Sequence, residues 1–99
     1  MHVVGMAVEA DGLVVQVQAS HVDILILDWR LPGANMPELL KELGELSAPP
    51  NVIVLSVNPE AKAGALAAGA SAFVGKNAPP DQFLEVVRSF HSHSVNLRN

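Results

Sequence analysis

The sequence predicts an α/β fold in which four parallel strands alternate with about four helices. Short apolar runs rich in β-branched residues alternate with segments whose apolar residues recur at helical spacing. Two of the runs, 22–27 and 52–57, are aliphatic almost throughout, as in strands buried on both faces of a parallel sheet. Because strands and helices that alternate in this way form βαβ units, the crossovers are expected to be right-handed. The 99 residues, 49% of them hydrophobic, suffice for one domain with a small core.

The predicted strands are short and are bounded by residues that favour turns. Gly12 and the Pro32-Gly33 pair follow the first two strands, and Pro49-Pro50 precedes the third. The strands are expected at residues 2–8, 22–27, 52–57 and 70–75.

The predicted helices place their apolar residues on one face, as helices that pack on a sheet do. They are expected at residues 11–20, 36–46, 59–68 and from Pro80 to about Phe90. The apolar face of the last helix should consist of Phe83, Leu84, Val87 and Phe90. The domain is therefore expected to span residues 1–90, with a polar and unpatterned tail at 91–99.

Three of the predicted strands have a polar or charged side chain at, or directly after, their carboxyl end: Asp28, Ser56 and Lys76. Open α/β sheets bind their ligands in the crevice beyond the carboxyl ends of the strands, so these side chains are candidates for a site. Taken alone, Asp28 is equally well explained as a turn residue, and Lys76 as a solvated lysine at a strand end.

The run Asp28-Trp29-Arg30-Leu31-Pro32-Gly33 after a buried strand, with Ser56 and Lys76 after the next two strands, resembles the receiver domain of bacterial two-component response regulators. The resemblance covers residues 2–90 and is closest to receivers that precede helix-turn-helix output domains. It implies a flavodoxin-like fold in which Asp28 accepts a phosphoryl group, Ser56 contacts that group and Lys76 pairs with it. Phe73 matches the family's switch aromatic, although a phenylalanine in a strand is more often a simple core residue.

The resemblance also implies what this sequence lacks. A complete receiver has five strands in the order 2-1-3-4-5, and the alignment places the first strand of this chain at the family's second. The family's first strand and helix are then absent, and with them an acidic pair that helps to hold a divalent cation. Either the first strand of this chain pairs directly with the central strand, or the central strand keeps an open edge. A longer natural chain, with Met1 as an artificial start, is an alternative explanation.

Weak magnesium binding follows from the loss of that acidic pair. The resemblance leaves the Asp28 carboxylate and the Arg30 carbonyl as metal ligands, and a hard cation needs several oxygen ligands. Glu9 and Asp11 are the nearest acids in the sequence, and we expect them to cap or solvate the start of a helix.

Composition limits the classes of partner. With Lys+Arg 6, Asp+Glu 10, a net charge of −4 and no basic run, the chain lacks the footprint of a protein that binds nucleic acid or an anionic membrane directly. No cysteine is present to form a disulfide or a thiol nucleophile. No apolar stretch approaches the roughly 20 residues of a membrane helix, so a cytoplasmic protein is expected.

Two functions remain open. The first is a truncated or degenerate receiver, not an enzyme, which acts as a signalling protein–protein interaction module with weak or absent phosphorylation at Asp28. The second is a phosphorylation-competent receiver that accepts a phosphoryl group from a histidine kinase on Asp28. The missing acidic pair favours the first, and the combination of Asp28, Ser56 and Lys76 favours the second. The expected partners are a sensor histidine kinase or another signalling protein, and a second copy of the chain, because the last helix would lack its covering neighbour.

Overall fold

The structure of the protein is a computed structural model, which describes residues 4–7, 9–31, 33 and 35–97, with side chains up to residue 90. Strands and helices alternate through these residues, as the sequence predicts. The elements are β1 (Val4–Met6), α1 (Leu13–Ser20), β2 (Ile24–Asp28), α2 (Met36–Gly44), β3 (Asn51–Ser56), α3 (Ala61–Ala67), β4 (Ala72–Gly75) and α4 (Pro80–Leu97). None of the described helices has the length and apolar character required to cross a membrane.

The four described strands form one parallel sheet in the order β1-β2-β3-β4. Four parallel strands with four helices confirm the predicted fold class. The strand β2 lies inside the sheet, and four of its five residues are fully buried. The strand β1 pairs directly with β2, with Val4 opposite Ile24 and Met6 opposite Ile26. Of the two arrangements open to the central strand, the structure therefore has the one without an open edge.

One face of the sheet carries α1, α2 and α3. Leu25 and Leu27 of β2 and Val52 and Val54 of β3 project toward these helices. The core on this face is completed by Leu13, Val17, Leu31, Met36, Leu39, Leu40, Leu43 and Ala65. The helix α2 contributes four residues of its inner face to this core: Met36, Leu39, Leu40 and Leu43.

The opposite face is covered by α4. Ile24, Ile26, Ile53 and Val74 are buried there beneath a stripe of α4 side chains: Phe83, Val86, Val87 and Phe90. Leu84 was expected in that stripe and is instead 46% exposed. The reason is helical geometry, because residues at spacings of three, four and seven from Phe83 share its face, whereas its immediate neighbour is turned about 100° away.

The observed bounds differ from the expected ones by one or two residues at the ends of most elements, and by more at the end of α4. The strand β1 is three residues long, and residues 2, 3 and 8 of the predicted strand lie outside the described part of the chain. The helix α4 continues to Leu97, past the predicted start of a polar tail at residue 91. No glycine or proline occurs between Phe90 and Leu97, so nothing in the local sequence ends the helix. The division of the domain at residue 90 stays a prediction.

Candidate functional site

Asp28 is the last residue of β2 and lies at the carboxyl end of the sheet, opposite Leu55. Its Oδ1 accepts a hydrogen bond of 2.8 Å from the backbone N–H of Arg30. Its carbonyl oxygen accepts a second bond, of 3.0 Å, from the N–H of Leu31. The chain therefore turns around the Asp28 carboxylate, which combines the turn role that the sequence allowed with a position in the crevice.

Lys76 follows β4 and reaches across the sheet to Asp28. Its backbone N–H donates to the Ser56 carbonyl at 2.8 Å, which extends the pairing of β4 with β3 by one residue. Its Nζ donates to Asp28 Oδ2 and forms a salt bridge. The side chains of Lys76 and Asp28 are 39% and 36% exposed, so this pair faces solvent at the edge of the crevice.

The charge of the Asp28 carboxylate is stabilised by its neighbours. The hydrogen bond from Lys76, followed by the one from the Arg30 N–H, holds the pKa of Asp28 below its ordinary value. The charges of Lys76 and Arg30 act in the same direction, and partial desolvation opposes them. Asp28 is therefore an ionised carboxylate at neutral pH, and both of its oxygens already accept hydrogen bonds.

Ser56 is the buried member of the three candidate residues, with 3% of its surface exposed. Its Oγ accepts a hydrogen bond of 3.0 Å from the N–H of Asn58, and the Asn58 side chain accepts one of 3.0 Å from the N–H of Glu60. These two bonds shape the loop that leads into α3. The residue after Ser56, Val57, is half exposed.

An open depression of about 400 Å³ lies beside Asp28. It is lined by Trp29, Arg30, Ser56, Asn58, Glu60 and Ala61. Asn58 and Glu60 did not emerge from the sequence as site residues. The Asn58-Pro59 pair was the available signal, because such pairs start turns and an Asn side chain often accepts a bond from the backbone two residues on.

Trp29 and Phe73 both pack on the face of the sheet covered by α1, α2 and α3. The backbone N–H of Trp29 donates to the Leu55 carbonyl at 2.8 Å. The indole of Trp29 packs on the core near Gly64 of α3. Phe73 lies in β4, opposite Val54 of β3, and is half buried against the same core. Its packing is that of a core residue, and its role as a switch aromatic stays a prediction.

The donors at Asp28 are a poor fit to a divalent cation. Among the described residues, no group of three or more His, Cys, Asp or Glu side chains is arranged to hold a metal ion. Asp28 contributes one carboxylate, whose oxygens are bonded to Lys76 and to the Arg30 N–H. Glu9 and Asp11 line a separate depression with Gly12 and Gly33. A cation at Asp28 would have to displace Lys76 and draw almost all of its other ligands from water.

The chain matches a known protein family. The family model of the response regulator receiver domain matches residues 1–88. The chain is 29% identical over 92 residues to the response regulator UvrY of Escherichia coli O6:H1 and to that of Escherichia coli O157:H7. Each of these matches covers 91% of this chain and 42% of the relative, so the chain spans less than half the length of these curated relatives.

Solved structures show the same fold. The signal receiver domain of a protein assigned as a Luxo repressor from Vibrio parahaemolyticus has a TM-score of 0.80 at 13% identity, over 99% of this chain and 96% of that one. A protein assigned as a response regulator from Chloroflexus aurantiacus has a TM-score of 0.73 at 18% identity, over 91% of this chain and 98% of that one. With the family match over residues 1–88, this chain belongs to the response regulator receiver domain family.

Proposed function

We propose that the chain is a receiver that signals through protein–protein contacts, with weak or absent phosphorylation at Asp28. Receiver domains are signalling modules that interact with histidine kinases and response regulator partners, and in general they are not enzymes. One observation carries the finer proposal: among the described residues, no group of acidic side chains lies with Asp28 to complete a cation site.

Electrostatics explains why the lack of a complete cation site opposes phosphorylation. Phosphoryl transfer depends on positioning and on positive charge that offsets the charge of the transferring group. Receiver domains commonly bind Mg²⁺ at their phosphorylation site, whereas Asp28 is a single carboxylate with cationic neighbours. We therefore propose that magnesium binds weakly here, with the Asp28 carboxylate and the Arg30 carbonyl as its protein ligands.

Acetyl phosphate tests the proposal. In the reaction, an Asp28 oxygen would form a bond to phosphorus while the bond from phosphorus to the acetate oxygen breaks. We expect intact-mass spectrometry to show little or no gain of one phosphoryl group after incubation with acetyl phosphate and Mg²⁺. The control is Asp28→Asn, which removes the acceptor. Stoichiometric phosphorylation of the wild-type chain that is lost in Asp28→Asn would contradict the proposal.

The same experiment addresses the second candidate function, a receiver that accepts a phosphoryl group from a histidine kinase. The observation in its favour is that Asp28, Ser56 and Lys76 follow three neighbouring strands at one end of the sheet. Phosphorylation by acetyl phosphate that depends on both Asp28 and Mg²⁺ would show that Asp28 is a competent acceptor and would favour this alternative.

We also propose that the chain forms a homodimer. The outer edge of β1 is unpaired among the described strands, and Val4 and Met6 are exposed there. Val4 and Met6 are paired with Ile24 and Ile26 of β2, so they lie on the face of the sheet where α4 packs on those two isoleucines. An apolar edge of this kind is a template for another chain. Sedimentation equilibrium at micromolar concentration should show a species heavier than the 10.4 kDa chain, and a single species of that mass would contradict the dimer.

The wider setting is also a proposal. A cytoplasmic location, a sensor histidine kinase or another signalling protein as partner, and no direct contact with nucleic acid or membrane agree with the family and with the net charge of −4. Because the chain matches 42% of the length of its curated relatives, their own partners are not transferred to it.

A further inference from the structure

A second concave surface lies away from the Asp28 site, at the start of α1 and α2. Two adjoining depressions, of about 560 and 380 Å³, share Ala10, Gly12 and Gly33 and together form what we call the acidic groove. Its charged residues are Glu9, Asp11, Glu38 and Glu42, and its apolar residues are Leu13, Val14, Val15 and Leu39. None of its lining residues lines the depression beside Asp28.

Charge is the first unusual property of the acidic groove. Four of the ten acidic residues of the chain line it, and no Lys, Arg or His is among the described lining residues. Glu38 and Glu42 are one turn apart on α2, so they project on the same side of that helix. Like charges held in a concave surface concentrate the field and attract a ligand of opposite sign.

The second unusual property is an exposed aliphatic side chain. Val15 of α1 is 71% exposed, more than any other large hydrophobic residue that the structure describes. Its neighbours in the sequence are Val14, which is half buried, and Gln16, which is exposed. A partner that buried Val15 would remove this apolar surface from water, which favours association.

We propose that the acidic groove binds a basic amphipathic helix of a partner protein. An aliphatic face on that helix would cover Val14 and Val15, and Lys or Arg residues on its flanks would approach Glu9, Asp11, Glu38 and Glu42. Recognition of an amphipathic helix by an apolar groove with a charged rim is a common mode of peptide binding. The inference rests on the proposed signalling through protein contacts and names a surface and a partner class for it.

A second copy of the chain does not supply such a helix. No described helix contains more than one Lys or Arg: α1 has none, and α2, α3 and α4 have Lys41, Lys62 and Arg88. Each copy of the chain also has a net charge of −4, so acidic surfaces on two copies repel each other. Charge complementarity therefore selects another protein, with a basic helix, as the occupant.

The test uses fluorescence anisotropy with a labelled synthetic amphipathic peptide made of Leu and Lys, and its Leu and Glu counterpart as a probe of the wrong charge. We expect the wild-type chain to bind the Lys peptide and not the Glu peptide. The double variant Glu38→Lys/Glu42→Lys should weaken binding by about tenfold or more, because two attractive charges become repulsive. Val15→Ser should also weaken binding, through the loss of apolar contact.

The matched control is Asp81→Lys/Glu85→Lys, which makes the same change in net charge at two exposed residues one turn apart on α4, on the opposite face of the sheet from the acidic groove. It should leave the affinity within about twofold, since exposed charges farther than a Debye length are largely screened. Equal losses in the two double variants, or no binding by the wild-type chain, would overturn the inference. Self-association that is lost only in the groove variants would also overturn it, by identifying a second copy as the occupant. Asp28→Asn should bind as the wild type does, so the result is independent of whether Asp28 is phosphorylated.

Discussion

Lys76 and Asp28 are joined by a salt bridge that spans three strands, because Asp28 ends β2, Lys76 follows β4 and β3 lies between them. The backbone of Lys76 is held by a hydrogen bond to the Ser56 carbonyl at the end of β3. The backbone of Asp28 is held by the turn at Leu31. The register of the sheet therefore brings the two charges together, and no long-range rearrangement is needed to form the pair.

The salt bridge should contribute little to stability. Both side chains are more than one third exposed, and exposed ion pairs are typically worth about 0.2–1 kcal/mol. We expect Lys76→Met to lower the free energy of unfolding by an amount in that range, as measured by urea denaturation at neutral pH. The control is Lys62→Met, which removes an exposed lysine of α3. A loss several times larger for Lys76 would mean that the pair is buried in solution.

The contribution of the salt bridge should depend on pH in a direction fixed by Asp28. The pKa of Asp28 is lowered in the folded state, so its stabilisation is fully present above the unfolded pKa of about 3.9 and is lost as the pH falls through the folded value. The gap in unfolding free energy between wild type and Lys76→Met should therefore be constant near neutral pH and close below about pH 4. A gap that persists unchanged in acid would show that Lys76 acts through another contact.

The sequence predicted the site at the level of strand ends but not the bonds within it. Asp28, Ser56 and Lys76 could be placed at one edge because the carboxyl ends of parallel strands meet there. That Ser56 would accept a bond from the Asn58 N–H depends on the conformation of the following loop, which hydrophobic periodicity does not encode. The exposure of Leu84 was missed for a similar reason. Leu84 is apolar and follows Phe83 in the sequence, so it adds to the helical pattern, but it lies on a different face of the helix from Phe83.

Trp29 offers a spectroscopic reporter for α3. It is the only tryptophan of the chain, and a Cβ added at Gly64 would lie 3.8 Å from its indole, an ordinary van der Waals contact. Because glycine is a poor helix former, Gly64→Ala should raise the free energy of unfolding by up to about 1 kcal/mol. It should also change the fluorescence of Trp29.

The control for Gly64→Ala is Gly44→Ala in α2, where an added Cβ would meet no atom within 4 Å. This variant should leave the fluorescence spectrum unchanged, because it is not in contact with the indole. A spectral change of equal size in both variants, or a loss of stability in Gly64→Ala, would contradict the packing of Trp29 on α3.

We propose that Lys76, and not a divalent cation, offsets the charge of Asp28. A Mg²⁺ titration tests this, followed by the fluorescence of Trp29, which is adjacent to Asp28, in the wild type and in Lys76→Met. We expect weak binding by the wild type that does not saturate at millimolar Mg²⁺, and tighter binding by Lys76→Met, because Asp28 then lacks its partner. Asp28→Asn should abolish the response in both backgrounds. Tight, saturable binding by the wild type that is unchanged or weakened in Lys76→Met would contradict the claim.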